Sequence, residues 1–266
     1  FREIEQLTAE AAEKGAGLVI FPETSAPISI RRSAGYRAWL QRIAKENGVD
    51  LLVGFIDHVY GEGEWKSYNS AGLFNSEGKL TGRYYKINLL PFGEKIPFSS
   101  IFPRLENIRF GQANFKSGRR MTIFHSHAGD FGVLICFEST FADQSREYVR
   151  KGARFLVNVT NDGWFNSQRG PVQHSETAIL RAVENGVFIL RSANTGVSMY
   201  IDPAGRVLKK YGLNREGIIY CGVEGPSGRT PYNRFGNGIF YLMAAISLAG
   251  GVVLSWFSGS SRERSS

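Results

Sequence analysis

Cysteine is scarce in this chain. Only two cysteines, Cys136 and Cys221, occur among its 266 residues. Two thiols make no disulfide framework, which excludes a small fold held together by several disulfides. Cys221 lies in the apolar run GIIYCGV and is predicted to be a buried strand residue. A disulfide between the two thiols stays open, and cysteine usage says little about the compartment.

Histidine is scarce as well, and the few present are badly placed for a metal. The four histidines, His58, His125, His127 and His174, do not have the spacing of a joint metal site. His125 and His127 alternate along a strand-like run, as surface residues of a sheet do. We therefore expect no metal and no other cofactor.

Blocks of like charge are also missing. The net charge of +8, from 32 Lys and Arg against 24 Asp and Glu, is spread along the chain. Such an excess either attracts anionic lipid headgroups or forms an ordinary solvated surface. Because there is neither a charge block nor a nucleic-acid motif, we predict no nucleic-acid partner.

What the sequence does contain is enough apolar material for a large core, with 42% hydrophobic and 13% aromatic residues. Predicted strands alternate with predicted helices, which indicates a layered α/β fold. Turns at NSEG (75–78) and PAG (203–205) predict hairpins, so the sheet should be mixed. The predicted strands include Leu51–Asp57, Tyr68–Phe74, Phe131–Phe137, Phe155–Val159 and a final strand, Ile218–Val223.

The end of the chain has a different character. Residues 239–257 carry no charge, and their helix would span about 28 Å, close to the thickness of a bilayer core. We predict a transmembrane helix here, with a buried core helix as the alternative. Residues 229–238 then form a linker and 258–266 a polar tail. Arg262 and Arg264 favour a cytoplasmic C-terminus, whereas Arg229 and Arg234 on the other flank weigh against it.

Three charged or reactive side chains stand at or just beyond apolar runs. Cys136 ends the run in DFGVLICFE, Glu23 follows GLVIFP, and Lys86 lies in YYKINLLPFGE. A thiol needs a neighbouring base or cation to become a nucleophile, and the other two residues could supply both. The alternatives are a small core residue for Cys136 and a structural ion pair for Glu23 and Lys86.

These residues and the sequence motifs around them resemble the Glu-Lys-Cys triad of the nitrilase, or carbon–nitrogen hydrolase, superfamily. The motifs are FPET, YYKINLLPFGEKIPF, ICFEST and, at 161–165, NDGWF. Within that superfamily the set is similar to the apolipoprotein N-acyltransferases. The resemblance implies an α-β-β-α sandwich over residues 1–228 and an upstream membrane domain of several helices, so we expect the chain to be the C-terminal part of a longer protein.

The resemblance also implies roles at the site. Glu23 is expected to be the base, Cys136 the nucleophile, and Lys86 the cation that holds the thiolate and the oxyanion. Phe137 (through its N–H), Glu94 and Glu138 are expected to support the site, and Trp164 is expected to lie beside the acyl chain. Phe92 and Ile96, in the loop 89–98, are expected to contact lipid at the entrance, or else simply to pack on the domain.

The activity implied is acyl transfer through a thioester. A phospholipid would be the acyl donor, and the N-terminal amine of a diacylglyceryl apolipoprotein the acceptor. The site would then lie at the bacterial inner membrane, on the periplasmic side. Two alternatives stay open on the same residues: a membrane-tethered nitrilase-type amidase that uses water, and a non-catalytic scaffold with this fold.

Overall fold

The computed structural model describes residues 2–94, 114–165, 167–225 and 228–262. Within those ranges two sheets lie between pairs of helices. The helices are α1 (Arg2–Glu13), α2 (Ala34–Asn47), α3 (Ala142–Arg150), α4 (Arg169–Asn185), α5 (Pro231–Phe235) and α6 (Gly238–Arg262). The strands are β1 (Leu18–Ile20), β2 (Asp50–Gly61), β3 (Glu64–Phe74), β4 (Leu80–Tyr85), β5 (Ile123–Ser126), β6 (Gly129–Ile135), β7 (Phe155–Thr160), β8 (Phe188–Ala193), β9 (Ser198–Ile201) and β10 (Val207–Tyr211).

The first sheet has the strand order β1-β2-β3-β4. Strand β1 runs parallel to β2, and the other neighbours are antiparallel. Strands β2 and β3 form one long hairpin whose turn places Glu62 and Gly63 at φ values of 55° and 80°. Both strands are longer than predicted, because the polar residues near this turn pair although they lack an alternating apolar pattern.

The second sheet has the order β10-β9-β8-β7-β6-β5. Its centre consists of the parallel strands β6, β7 and β8, and antiparallel strands complete both sides. All six residues of β7 are buried. A strand covered on both faces has this pattern, and it explains why the sequence shows a continuous apolar run there.

Two hydrophobic cores separate the layers. Leu52, Leu73 and Tyr84 of the first sheet pack with Phe131 and Val133 of the second, so one core lies between the sheets. The other core includes residues of α1 and α2 together with Leu51 and Val53, which alternate with Leu52 along β2 and therefore face the opposite side. With α3 and α4 on the second sheet, the layers are helix, sheet, sheet, helix. The predicted α-β-β-α sandwich with mixed sheets is confirmed.

The predicted final strand is wrong. Residues 218–223 form no regular element, and Cys221 is exposed rather than buried. The carbonyls of this segment accept hydrogen bonds from side chains, Tyr200 to Gly222 and Lys209 to Tyr220, instead of from a neighbouring strand. Both cysteines are free thiols, so the disulfide left open by the sequence is not formed.

The predicted linker contains a short helix. Thr230 caps α5, since its Oγ1 accepts a hydrogen bond from the N–H of Asn233 at 3.0 Å. Arg146 of α3 donates from Nε to the carbonyls of Tyr232 and Asn233 at 3.1 and 3.0 Å. The segment is therefore fastened to the sandwich by hydrogen bonds rather than extended.

Helix α6 follows where the sequence predicts a helix. It covers Gly238–Arg262, and side chains such as Phe240, Leu242 and Ile246 are exposed. Its predicted role as a membrane span is not supported: in the part of the chain that the structure describes, no helix is long and apolar enough to cross a membrane.

Candidate active site

Glu23 lies in a turn after the short strand β1, which pairs with β2. The turn sits directly on Gly54 of β2, where an added Cβ would lie 2.6 Å from the N of Thr24 and 2.8 Å from the Cα of Glu23. Only glycine allows this approach. Thr24 itself has φ 56°, so the turn is tight and places the Glu23 side chain, 7% exposed, in the interior.

Both oxygens of the Glu23 carboxylate accept a hydrogen bond. Asn69 of β3 donates from Nδ2 to Oε1 at 2.6 Å, and the N–H of Asn161 donates to Oε2 at 2.7 Å. Asn161 follows β7, so one carboxylate is held by residues from both sheets. The orientation of Glu23 is therefore fixed before any substrate arrives.

Lys86 follows β4 and is 1% exposed. Its N–H donates to the carbonyl of Asn69 at 2.9 Å, which continues the pairing of β3 and β4 by one residue. Its Nζ lies 2.7 Å from Oε2 of Glu94 and 3.9 Å from Oε1 of Glu23. Asn69 Nδ2 also donates to Oε1 of Glu94 at 2.8 Å. The structure thus brings Glu23, Lys86 and Glu94 together around Asn69.

Cys136 is the first residue after β6 and begins a 3₁₀ helix, Cys136–Thr140. Its φ of 52° is rare for a residue with a side chain and marks a strained turn. The carbonyl of Cys136 accepts hydrogen bonds from Ser139 Oγ at 3.2 Å and from Asn158 Nδ2 at 3.4 Å, which hold that turn. The side chain is 4% exposed and is acted on by the charges of Glu23 and Lys86.

The protonation of these groups follows from burial and from each other's charge. Burial raises the pKa of the Cys136 thiol to about 12, and the Glu23 charge adds to this, although Lys86 opposes it. Burial also raises the pKa of Glu23, against Lys86 and the Asn69 hydrogen bond. Burial disfavours the charge of Lys86, but Glu23, Cys136 and Glu94 outweigh it and raise the pKa of Lys86. At neutral pH the thiol is therefore protonated beside a glutamate that is more basic than usual.

Glu138 ties the Lys86 segment to the Cys136 turn. Its Oε1 accepts hydrogen bonds from Tyr84 Oη at 2.7 Å and from the N–H groups of Ile87 and Asn88 at 2.8 and 3.0 Å. Its Oε2 accepts from the N–H of Ile135 at 2.8 Å. Glu138 is fully buried, and that burial raises its pKa despite the four donors. Glu138 therefore fixes the segment that follows Lys86 relative to the end of β6, where Cys136 begins its turn.

Phe137, Trp164 and Phe92 were also predicted from the sequence, and each is at least partly exposed. Phe137 is half-buried and packs edge-on against Phe141, with ring centroids 5.4 Å apart. Trp164 is 48% exposed and stacks on Phe165. A tryptophan with this exposure is not part of the hydrophobic core. Phe92 is 58% exposed. Ile96 lies outside the described residues.

A small cavity opens beside the residue that follows the cysteine. It has a volume of about 220 Å³. Its lining is mainly apolar and comes from the segment after Lys86 and from the turn after Cys136: Ile87, Asn88, Leu89, Pro91, Ser117, Phe137 and Phe141. An apolar hollow lined by Phe137, the residue that follows the cysteine, suits a substrate with a hydrocarbon part.

A second group of polar side chains near Cys136 was missed from the sequence. One ligand-type atom each of Cys136, Asp162 and His174 lie within 4.8 Å of one another. In the sequence His174 is one of four scattered histidines and Asp162 is the second residue of NDGWF, and neither pattern indicates that the two meet. Arg191 Nη2 donates to Asp162 Oδ2 at 2.9 Å. A guanidinium in that place repels a metal cation, so this group does not fit a metal site.

Comparison with known proteins agrees with this geometry. The family model described as carbon-nitrogen hydrolase matches residues 1–228. The chain belongs to the carbon-nitrogen hydrolase family. Solved structures of this family share the fold: a mutant of the Nesterenkonia AN1 amidase gives a TM-score of 0.60 at 21% identity, over 80% of this chain and 81% of that one. A carbon-nitrogen hydrolase from Helicobacter pylori gives 0.64 at 17% identity, over 81% and 80%.

Several curated relatives with 31–37% identity share one name. An apolipoprotein N-acyltransferase from Geobacter metallireducens is 35% identical over 234 residues, which is 88% of this chain and 45% of that protein. One from Chlorobaculum tepidum is 37% identical over 212 residues, 71% of this chain and 40% of that protein. The chain therefore spans less than half the length of these two relatives.

Proposed function

We propose that this chain carries the catalytic part of an apolipoprotein N-acyltransferase. It would move a fatty acyl group from a phospholipid to Cys136 and then to the N-terminal amine of a diacylglyceryl-cysteine. The observation that carries the proposal is the strained Cys136 turn beside a buried Glu23–Lys86–Glu94 cluster. The name of the relatives supplies the apolipoprotein acceptor and the N-acylation. The phospholipid donor is what the resemblance to that family implies.

The first half-reaction forms a thioester. Glu23 takes the proton of the Cys136 thiol while the sulfur attacks the ester carbonyl carbon of the phospholipid. The negative charge that develops on the carbonyl oxygen is stabilised by Lys86 and by the N–H of Phe137, each such donor contributing about 3 kcal/mol. The C–O bond then breaks, Glu23 returns the proton to the leaving oxygen, and lysophospholipid departs.

The second half-reaction runs through the same groups in the opposite sense. The α-amine of the acceptor attacks the thioester carbonyl, and Glu23 takes a proton from the nitrogen. The C–S bond breaks, an amide forms, and the proton passes to the sulfur to restore the thiol. A basic Glu23 is useful in both halves because it must accept a proton before it can return one.

We further propose that the protein acts at the bacterial inner membrane with this domain on the periplasmic side. Both substrates are lipids, which do not readily leave a bilayer. Exposed apolar side chains support contact with lipid. Those of α6 are Phe240, Tyr241, Leu242, Met243, Ile246 and Leu248, and Phe92 and Trp164 of the sandwich are exposed as well.

The test is mass spectrometry of the protein after incubation with phosphatidylethanolamine. We expect one acyl adduct on Cys136 and an equal amount of lysophospholipid, and amide on the acceptor once a diacylglyceryl peptide is added. Cys136→Ala should abolish the adduct while the fold survives, because little volume changes. Cys221→Ala, the matched loss of the exposed thiol, should retain it. Absence of the adduct would reject the acyltransferase. Hydrolysis of simple amides without transfer would reject it in favour of an amidase.

A further inference from the structure

Asn69 carries a buried oxygen that has no donor in the described part of the chain. The residue lies in β3 and is 3% exposed. Its Nδ2 donates hydrogen bonds to Oε1 of Glu23 at 2.6 Å and to Oε1 of Glu94 at 2.8 Å. Among the described residues, no donor contacts its Oδ1. A buried acceptor without a partner is destabilising, which indicates that a bound molecule supplies the missing donor.

The orientation of the Asn69 amide is fixed by its two acceptors. An NH₂ group has two protons, and here one is directed to each carboxylate. The reversed amide would place an oxygen against both carboxylates, with no proton to share. The nitrogen therefore faces Glu23 and Glu94, and Oδ1 is the atom that the amide leaves for another molecule.

The Asn69 side chain extends into the space between the two sheets. Ala71, two residues further along β3, belongs to the core between the sheets, and so does Cys136. Since every second residue of a strand points to the same face, Asn69 faces this interior as well. The Glu23 carboxylate that it holds also accepts from the N–H of Asn161, which follows a strand of the second sheet. Oδ1 thus lies between the sheets beside the Glu23 carboxylate.

The second half-reaction brings a donor of the required kind. The acceptor amine has two N–H bonds when its nitrogen attacks the thioester carbonyl carbon of acyl-Cys136. One proton passes to Glu23 and then to the sulfur as the C–S bond breaks, so the nitrogen must come within hydrogen-bond distance of that carboxylate. The second N–H needs an acceptor nearby, and the Asn69 amide lies against the same carboxylate. The leaving oxygen of the first half-reaction takes up one proton and has no second one.

We propose that Asn69 selects a primary amine as the acyl acceptor: its Oδ1 accepts one N–H of the attacking nitrogen, while its Nδ2 holds Glu23 for the proton of the other. The inference rests on the proposed function, because it needs the acyl-Cys136 thioester and Glu23 as the base. It explains a preference between competing nucleophiles. The hydroxyl of lysophospholipid can attack the thioester and reverse the first half-reaction, but it has no second hydrogen for Oδ1, so the amine is favoured.

The test is a competition between two acceptors that differ by one N–H group. The protein, in a Cys221→Ala background, is acylated with a short, water-soluble thioester and freed of the excess donor. Equal concentrations of n-butylamine and N-methylbutylamine are then added, and the two amide products are quantified by mass spectrometry. Both amines meet the same acyl-enzyme, so the product ratio is independent of the folded fraction and of the acylation rate. The uncatalysed reaction of the donor thioester gives the intrinsic ratio.

Asn69→Leu keeps a side chain of similar size and removes the amide. We expect its preference for the primary amine, relative to the intrinsic ratio, to fall about tenfold from that of the parent, because one hydrogen bond to a nitrogen that gains positive charge is lost. Ser70→Ala is the control, since Ser70 pairs with Phe55 on the opposite face of the sheet. Its ratio should equal that of the parent.

A purely structural role for Asn69 gives a different result. If the amide only held Glu23 and Glu94 in place, both amines would react more slowly by the same factor and the ratio would stay at the parent value. That outcome would overturn the proposal. Asn69→Ala, which leaves more room than leucine, should show the same fall, and a fall in the leucine variant alone would indicate crowding and count against Oδ1. Thermal melts identify a loss of fold.

The parent protein tests the proposal even if both variants fail to fold, because a parent ratio no higher than the intrinsic one would overturn it. Failure of the proposed function gives a separate result. If phospholipid leaves no adduct but the short thioester does, and the ratio falls as expected, the phospholipid donor is rejected and the role of Asn69 stands. A parent that forms no acyl-Cys136 from either donor rejects both.

Discussion

The ammonium nitrogen of Lys86 lies 2.7 Å from Oε2 of Glu94, closer than the 3.9 Å that separates it from Oε1 of Glu23. Glu94 thus takes the direct ion pair, and it is fixed in turn by the N–H of Leu90 at 2.9 Å. Burial raises the pKa of Glu23, the Lys86 charge opposes that rise, and the Glu94 charge adds to it. Two glutamates around one lysine therefore have different tasks: one pairs and one accepts protons.

Glu94→Gln tests this division. The substitution leaves Glu23 to pair with Lys86 and removes a negative charge that raises the pKa of Glu23. We expect thioester formation to slow by about 10- to 100-fold and its acid limb to move to lower pH, because Glu23 becomes a weaker base. The measurement is the burst of lysophospholipid release as a function of pH. Glu77→Gln, which removes an exposed partner of Lys79, is the control. An unchanged burst with an unchanged acid limb would contradict the assignment.

Glu23→Gln should stop thioester formation, not only its resolution. In the parent the base must be ionised, so the rate should rise as pH increases through the pKa of Glu23. Burial places that midpoint above the usual glutamate value of 4.5. In the glutamine variant the rate of thioester formation should fall by at least about 10²-fold and should not rise with pH in this range. Rapid-quench detection of acyl-Cys136 checks this, and normal accumulation of acyl-enzyme in the variant would remove Glu23 from the first half-reaction.

Glu138→Gln should cost stability as well as activity. A glutamine oxygen can replace one carboxylate oxygen, but the amide NH₂ would then face either the N–H of Ile135 or the donors around Ile87. Leaving a buried donor unsatisfied costs about 1–3 kcal/mol. We expect the urea midpoint to fall accordingly, with slower acyl transfer because the Cys136 turn loosens. Glu216→Gln, at an exposed position, provides the comparison. If the unfolding free energies of both variants match that of the parent, Glu138 does not hold the site.

Each of the three central residues predicted from the sequence lies just beyond a strand. Glu23 follows β1, Lys86 follows β4 and Cys136 follows β6, and packing of the two sheets brings these ends together. Local pattern is enough for such residues. It is not enough for Asn69, which lies inside β3 and joins Glu23 to Glu94 through its side-chain amide.

The parts that could not be predicted depend on contacts between distant segments. Arg191 meets Asp162 only because β8 lies beside β7, and an arginine within a strand gives no sign of its partner. The same limit applies to Cys221. Its apolar neighbours suggest a buried strand, but a strand also needs a partner with free backbone groups, and residues 218–223 find side chains instead.

Phe92 gives the last prediction, which concerns how lipid reaches the thiol. It lies in the segment after Lys86, two residues before Glu94, with 58% of its surface exposed and a φ of 63°. Such a backbone angle is unusual for an aromatic residue, and it presents the ring to solvent instead of to the core. The nearby cavity of about 220 Å³ is lined in part by Leu89 and Pro91 of the same segment. We therefore expect Phe92 to contact lipid at the entrance.

Phe92→Glu separates this role from simple packing. A charge at a lipid-contacting position should slow acyl transfer from bilayer phospholipid by about tenfold or more, because transfer of an ionised carboxylate into an apolar environment is costly. Acyl transfer to Cys136 from a short, water-soluble thioester should change by less than about threefold, since that substrate needs no bilayer contact. Phe92→Leu, which keeps an apolar side chain, is the matched control. Equal losses on both substrates would indicate a packing defect near Glu94 and remove the case for a lipid entrance.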